Sequence, residues 1–360
     1  MKRLLKGRLS FIFLFAMLTL ILSGCGEPFL STLQPAGEVA RTQYDLMLLS
    51  VVIMVGVIIV VTAIFLIVLF KFRRKDESIP KQVEGSHKLE IIWTVIPILL
   101  LLVLAVPTVK ATFDLADVTP MEETNEDGKT DVMTVNVRAN LYWWEFEYPN
   151  EEILTSQELV VPTDERVYFN LIASDVKHSF WIPAVGGKMD TNTDNVNKFW
   201  LSFDGDKAGE LEDNIFYGKC AELCGPSHAL MDFKVKAIPR DQFDQWVSNM
   251  QSVTEPAVAE SATAQQGQEI FNNSCIGCHA VTPANTTPEA ARMAPNLTNF
   301  GDREHIIGYL ENNEENIKKW LNDPESLKPG NKMTDTYGDL SDDEINALTE
   351  YLLSLKVQDQ

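Results

Sequence analysis

Cys220-Ala-Glu222-Leu-Cys224-Gly-Pro-Ser-His228-Ala-Leu-Met231 sets two thiols, an imidazole and a thioether within one short stretch. All four are soft or borderline metal ligands. Thiolate beside thioether points to copper, because thioether is a poor zinc ligand and a familiar axial ligand of copper. A zinc knuckle would call for a second C-x-x-C pair, and none lies nearby. A Cys220–Cys224 disulfide is the competing reading. The flanking His228 and Met231, with a remote His178, weigh against it.

Around this stretch the chain reads as short strands. Val132, Val135 and Val137 lead into the aromatic run Leu141-Tyr142-Trp143-Trp144-Glu145-Phe146-Glu147-Tyr148. Further strand candidates are Glu158–Val161, Arg166–Ile172, Lys198–Phe203 and Met231–Ala237, separated by Pro, Gly, Asp and Asn. Short strands at this spacing without long helices predict a β-sandwich or Greek-key barrel over 131–240. His178, in Asp175-Val-Lys-His178-Ser-Phe-Trp181, stands between two strands. A lone histidine is more often structural than ligating, but in such a barrel a loop residue can meet a distant ligand cluster.

The other half of the chain is of different character. Lys2, Arg3, Lys6 and Arg8 precede the short apolar run Phe11 to Leu22, as in an export signal over 1–24. The run ends in Leu22-Ser23-Gly24-Cys25, which resembles the bacterial lipoprotein signal box and implies a lipid anchor at Cys25. An N-terminal segment, 25–45, then precedes two charge-free runs, 46–70 and 91–109, each close to bilayer length. Pro97 and Pro107 fall in the second run. The loop 71–90 between them carries Lys71, Arg73, Arg74, Lys75, Lys81 and Lys88, which places it in the cytoplasm and both flanks outside. The expected localisation is a bacterial cell membrane, crossed twice. A net charge of −21 excludes nucleic acid as a natural partner and suits a basic protein instead.

Residues 252–266 read as a linker. Beyond it, in 267–360, stands Cys275-Ile-Gly-Cys278-His279, the C-x-x-C-H attachment site of c-type haem. Two thioether bonds would fix the porphyrin and His279 would bind its iron. A low-spin carrier needs a second axial ligand, and methionine raises the potential. Met293 and Met333 compete for that place. Met333 follows Lys328-Pro-Gly330 and precedes the last helix, and it is the expected ligand. That helix opens with Ser341-Asp-Asp-Glu344, a capping box, followed by Ile345, Leu348, Leu352 and Leu355 on one face. A surface or capping place is expected for His305, and His87 has no evident partner.

Through its lipobox, both apolar runs and the copper-ligand region, the chain resembles subunit II of bacterial cytochrome c oxidase. The resemblance implies a multidomain chain: a two-helix transmembrane hairpin, an all-β cupredoxin-like Greek-key domain and a C-terminal all-α cytochrome c domain. It implies a binuclear copper centre, CuA, on His178, Cys220, Cys224, His228, Met231 and the carbonyl of Glu222. Both thiolates would bridge the two coppers. It also implies a magnesium ligand in the Glu222 side chain and a carboxylate at the mouth of a proton path in Glu90, where a helix dipole also favours a carboxylate. Tyr142 stands where the family usually has a tryptophan that accepts electrons from soluble cytochrome c, with Trp143 and Trp144 following.

The function so implied is electron transfer within a respiratory haem-copper oxidase, from haem c through CuA to an oxygen-reducing, proton-pumping centre in subunit I. No oxygen-reducing site is visible in this chain, so the partners are subunit I and the other oxidase subunits. Membrane lipid, and a soluble or membrane cytochrome c or a bc-type complex as donor, complete the list. A CuA-containing nitric oxide reductase would use the same relay with another acceptor. A membrane-tethered copper-delivery protein would hold one exchangeable copper. Related quinol oxidase subunits lack these copper ligands, so the intact set argues against a quinol donor.

Overall fold

Both charge-free runs become helices longer than the runs themselves. Helix α1 spans Glu38–Lys71 and α2 spans His87–Ala116, enclosing the expected spans 46–70 and 91–109. Once nucleated a helix propagates cheaply, and Glu38 in the first turn with Lys71 in the last suit its dipole. Both helices are long and apolar enough to cross a membrane. Side chains such as Val52, Ile59, Phe65, Leu101 and Val106 lie open on their surfaces, as hydrocarbon would require. The computed structural model describes residues 13–18, 26–74, 79, 82, 84–123, 125, 128, 130–284 and 287–357. Most of the expected signal segment 1–24, with Cys25, Lys75 and Lys81, lies outside the described residues.

The first turn of α1 is anchored in the β domain. Val39 and Ala40 are buried there, Ala36 N donates to Ala184 O at 2.7 Å, and Arg166 pairs with Glu38 at 2.8 Å. The domain itself is two five-stranded sheets. Strands β1 (Met133–Asn140), β2 (Trp143–Tyr148), β3 (Ile153–Ser156), β5 (Arg166–Ala173) and β8 (Asn197–Ser202) form one sheet in the order β3-β2-β1-β5-β8. Strands β4 (Glu158–Pro162), β6 (His178–Trp181), β7 (Met189–Thr191), β9 (Ile215–Cys220) and β10 (Phe233–Ile238) form the other, ordered β4-β10-β9-β6-β7. Alternate residues Val135, Val137 and Ala139 on β1 face the core between the sheets, where Phe180 stacks on Phe233 at 4.7 Å. Gly218 on β9 makes room for that ring, since a Cβ there would lie 2.2 Å from it.

Two features departed from the sequence reading. A short helix, α3 (Gly205–Gly209), follows β8, and a longer one, α4 (Arg240–Ser252), closes the β domain. Phe243, Trp246 and Met250 of α4 are buried at helical spacing, with Trp246 against Tyr148 at 5.2 Å. Helix α5 (Ala262–Ser274) begins inside the expected linker, which leaves 253–261 as the connection. That connection is pinned: Gln268 and Gln265 donate to the carbonyls of Ala257 and Ala259.

The C-terminal unit comprises α5, a two-stranded hairpin (β11 His305–Ile306, β12 Leu310–Glu311), α6 (Glu314–Asn322), α7 (Pro324–Leu327) and α8 (Asp342–Ser354). The capping box at Ser341 and Glu344 is formed, and Ile345, Leu348, Leu352 and Leu355 are buried as expected. Helices α5 and α8 cross backbone to backbone. A Cβ on Gly267 would lie 2.0 Å from the carbonyl oxygen of Ala347.

This unit covers the outer face of the β3-β2-β1 edge, which explains why Arg138, Asn140 and Glu145 are buried on otherwise alternating strands. Glu145 forms an ion pair with Arg138 at 3.2 Å and accepts from Arg292 at 3.1 Å, and Arg138 donates to the carbonyl of Arg292 at 2.9 Å. Burial raises the Glu145 carboxyl above its ordinary value, opposed by the two guanidinium groups. Leu154 N donates to Pro283 O, and Asn296 N to Ser156 Oγ, both at 3.0 Å.

The helix crossing generates a test. Gly267→Ala forces α5 and α8 apart and should cost about 1–3 kcal/mol of overpacking. Thermal unfolding of the C-terminal unit should then occur several degrees lower while the β domain melts unchanged. An unaltered transition would contradict so close a crossing.

Candidate copper and haem centres

The copper donors come from the ends of strands. Cys220 is the last residue of β9, and the loop beyond it carries Cys224 and a 3-10 turn, His228–Leu230, before Met231 leads towards β10. β6 pairs antiparallel with β9, Phe180 opposite Cys220, which delivers His178 to the same end of the sheet. His178 thus opens a strand, where the sequence reading put it in a loop. Cys220 Sγ lies 3.9 Å from Cys224 Sγ and 3.9 Å from His178 Nδ1. Cys224 Sγ lies 3.7 Å from His228 Nδ1 and 3.9 Å from Met231 Sδ, and the Glu222 carbonyl is 3.3 Å from Cys220 Sγ.

Those separations are what a shared metal requires. Ligand atoms bound at about 2.0–2.3 Å and roughly tetrahedral angles lie about 3.3–3.8 Å apart. His178, Cys220 and Cys224 alone place their ligand atoms within 4.8 Å of one another. Two sulfurs at this distance, with one imidazole beside each, suit two copper ions bridged by both sulfurs better than one tetrahedral ion. The donor set fits the copper pair.

The local electrostatics favour thiolate. Donation from Cys224, joined by His178 and opposed by burial, brings the Cys220 thiol down to about 3, while the same pairing pushes Cys224 up. The pairing thus favours thiolate at one of the two sulfurs. Burial opposes protonation of His178, but its contacts with Asp175 and Cys220 outweigh it and raise its pKa. Asp175 Oδ1 holds His178 Nε2 at 2.9 Å, which leaves Nδ1 facing the sulfurs. Despite partial burial, Asp175 itself is held down to about 2 by His178 and by the Leu141 and Val176 amides. Asp175 was missed in the sequence; its place three residues before His178 was the available signal.

Beneath the donors lies the aromatic run. Trp144 is fully buried, 6.2 Å from the His178 ring, and its Nε1 donates to Met231 O at 3.2 Å. Tyr142 and Trp143 are buried too, but on the far side, where they line a cleft shared with the C-terminal unit. The side chain of Glu222 points away, 3.8 Å from Lys188 Nζ, and lies outside the metal-ligand group found among the described residues.

The cleft is open to solvent at its mouth. Cys275, Cys278, His279, Met293 and Met333 all line it. His279 Nδ1 donates to Pro295 O at 2.8 Å, so the proton sits on Nδ1 and the Nε2 lone pair is left for a metal. Burial lowers the His279 pKa and keeps the ring neutral. Met333 packs against the apolar core of the unit, whereas Met293 is 62% exposed. Asn331 Oδ1 accepts from the amides of Met333 and Thr334 and fixes that loop. Paired thiols, a preset imidazole and a thioether lining the same cleft suit a covalently held haem.

Two expected positions are resolved differently. His305, for which a surface or capping place was expected, lines the cleft, with its Nδ1 buried and unpartnered and its pKa lowered by burial to about 4. His87 has a partner after all, Glu90 at 3.6 Å in the first turn of α2. Glu90 is therefore on the membrane hairpin, apart from both centres.

Comparison with known proteins follows the same three parts. Residues 32–111 match the family described as the transmembrane domain of cytochrome c oxidase subunit II, 150–238 its periplasmic domain, and 264–356 cytochrome c. Cytochrome c oxidase subunit 2 of Bacillus sp. strain PS3 is 67% identical over 348 residues, covering 96% of this chain and 97% of that one. The protein of the same name from Bacillus subtilis strain 168 is 59% identical over 351 residues, covering 96% and 98%. Quinol oxidase subunit 2 of Bacillus cereus is 32% identical over 248 residues, covering 68% of this chain and 80% of its own. Copper and haem are the cofactors these domains carry, and their work is electron transfer. The chain belongs to the cytochrome c oxidase subunit II family, in the form that carries a cytochrome c domain on the same polypeptide.

Proposed function

We propose that this chain is the electron relay of a respiratory terminal oxidase, taking electrons at its own haem and passing them through copper towards subunit I. The observation that carries the reading is one wall shared by two sites. Tyr142 lines the haem cleft, and its hydroxyl lies against Gly225 of the copper loop. When bound, the haem and the copper pair each supply a one-electron centre.

The protein's own contributions are positional. Cys275 and Cys278 would tether the porphyrin, and His279 through Nε2 and Met333 through its sulfur would hold its iron. His178, Cys220, Cys224, His228, Met231 and the carbonyl of Glu222 hold the copper pair. Their attachment to two strand ends limits rearrangement when charge changes, which keeps reorganisation small. Tyr142 and Trp143 form the aromatic bridge between the centres, and Trp144 braces the copper side by its bond to Met231 O.

The surroundings follow from this reading. The β domain and haem unit lie outside the cell membrane, the loop between α1 and α2 lies in the cytoplasm, and Cys25 carries lipid. Glu90, on the cytoplasmic end of α2, stands at a proton path leading to subunit I. A magnesium ion at Glu222 would need that carboxylate to leave Lys188 and would take its other ligands from subunit I. A cytochrome c or a bc-type complex delivers the electrons.

Two measurements test this. The purified full chain should show mixed-valence binuclear copper by electron paramagnetic resonance and c-type haem absorption, yet consume no oxygen. Cys224→Ser should abolish the copper signal, keep the haem spectrum and lower oxygen reduction by the assembled oxidase more than about 100-fold, beyond what loss of an outer-shell partner costs. Oxygen uptake by the isolated chain, or full activity of the serine variant, would refute the relay. For the haem, Met333→Leu should give a high-spin iron of lower potential and Met293→Leu a wild-type spectrum; the reverse pattern would exchange their roles.

A further inference from the structure

Four basic side chains besides His279 line the haem cleft, and among the described residues no aspartate or glutamate joins them. In a chain with 51 acidic residues, that bias points to an anionic ligand. Three of the four have their place. Arg303 Nη2 donates to Asn296 O at 2.7 Å and to Asn299 Oδ1 at 2.8 Å. Lys332 pairs with Asp175 at 3.5 Å. Burial, with Lys234 nearby, keeps the His305 ring neutral. Lys328 is left over.

Lys328 is 3% exposed. Its Nζ donates to the carbonyl of Ile307 at 2.6 Å, and among the described residues no carboxylate pairs with it. Asp232, whose charge acts on it, is paired with Lys219. Glu325, three residues before it, accepts from the Gly330 amide at 3.0 Å and from Thr334 Oγ1 at 3.3 Å. Burial pulls the Lys328 ammonium down to about 7, against the pull of Asp232 and Cys224. An ammonium buried beside one neutral acceptor is costly until an opposite charge completes it.

A c-type haem carries its two carboxylates on the edge of the porphyrin opposite its thioether bonds. Cys278 and Ile276 are exposed, so the thioether edge lies at the mouth of the cleft and the carboxylate edge lies deep in it. Lys328 stands at that depth, against the copper loop: its neighbour Pro329 accepts at its carbonyl from the buried Ser227 Oγ at 2.6 Å. We propose that Lys328 pairs with a haem carboxylate at the inner edge of the porphyrin and turns that edge towards the copper loop. The proposal rests on the haem reading of this cleft. It goes further by giving the cofactor a charge partner and a direction. Lys328 is then a positioning residue, fixing the porphyrin by its edge while His279 and Met333 hold the iron. By neutralising a buried carboxylate that would otherwise favour the more positive ferric haem, it also holds the reduction potential up.

The test uses the purified full chain with its haem. Spectroelectrochemistry at pH 8 reads the haem potential. Lys328→Met should make the haem harder to reduce by about tenfold, which is about 59 mV for a one-electron couple, and Lys328→Arg should restore most of that loss. Redox-difference infrared spectra of haem labelled with carbon-13 at its carboxylates give a second readout. The ionised carboxylate band should shift between the parent and Lys328→Arg, because ammonium and guanidinium bind it differently. That shift decides the matter should Lys328→Met fail to take up haem. An unchanged potential in Lys328→Met would overturn the pairing. So would a fall in potential that arginine does not restore, with the carboxylate band unmoved, since that pattern belongs to packing alone. A parent chain that carries no c-type haem would instead refute the haem reading itself.

Discussion

Two sulfurs held 3.9 Å apart at the end of β9 constrain everything around them. Two anionic thiolates that close would repel unless shared protons or cations stood between them, so the site is built to be completed by metal. The strands enforce the approach. Cys220 is locked by its register with Phe180, and Gly225, at φ +137°, turns the chain just beyond Cys224. His178 arrives from the neighbouring strand with its far nitrogen held by Asp175, so its orientation is settled before a ligand binds. The aromatic cluster of Trp144, Phe180 and Phe233 beneath the site has the same consequence for the backbone.

The parts legible in the sequence were those encoded locally. Cys275-Ile-Gly-Cys278-His279 and the Cys220–Met231 stretch declare their chemistry by spacing alone, and the two charge-free runs declare theirs by length. The strands from Glu158, Arg166 and Lys198 are legible close to their true limits because runs of β-branched and aromatic residues are bracketed there by Pro, Gly, Asp and Asn. Helix α4 was overlooked although Phe243, Trp246 and Met250 carry helical spacing, for its stripe is short and its other positions are polar. Nothing local could show that Arg138 and Glu145 meet Arg292, or that His305 turns into the haem cleft. Those depend on one domain covering another, and no periodicity within a strand records what lies on its second face.

That covering has an energetic logic. The contact is largely polar, with Arg138, Glu145 and Arg292 buried together and main-chain bonds from Leu154 and Asn296. Breaking one partner of such a set leaves a buried charge uncompensated, so the arrangement is specific even where its net stability is small. The same surface ties the segment bearing Pro295, which orients His279, to the sheet that bears Tyr142 and Trp143. Orientation of the haem ligand and position of the aromatic wall are thus consequences of one interface.

The pinned connection 253–261 bears on how strong that interface has to be. Fully extended it could span only about 30 Å, and the bonds from Gln265 and Gln268 shorten its reach further. A flexible tether of this length keeps its cargo at an effective concentration of about millimolar. An interface that would be only micromolar between separate proteins is therefore closed about a thousand to one here. Fusion lets the contact stay polar and modest in strength, while the electron donor is never far from its acceptor.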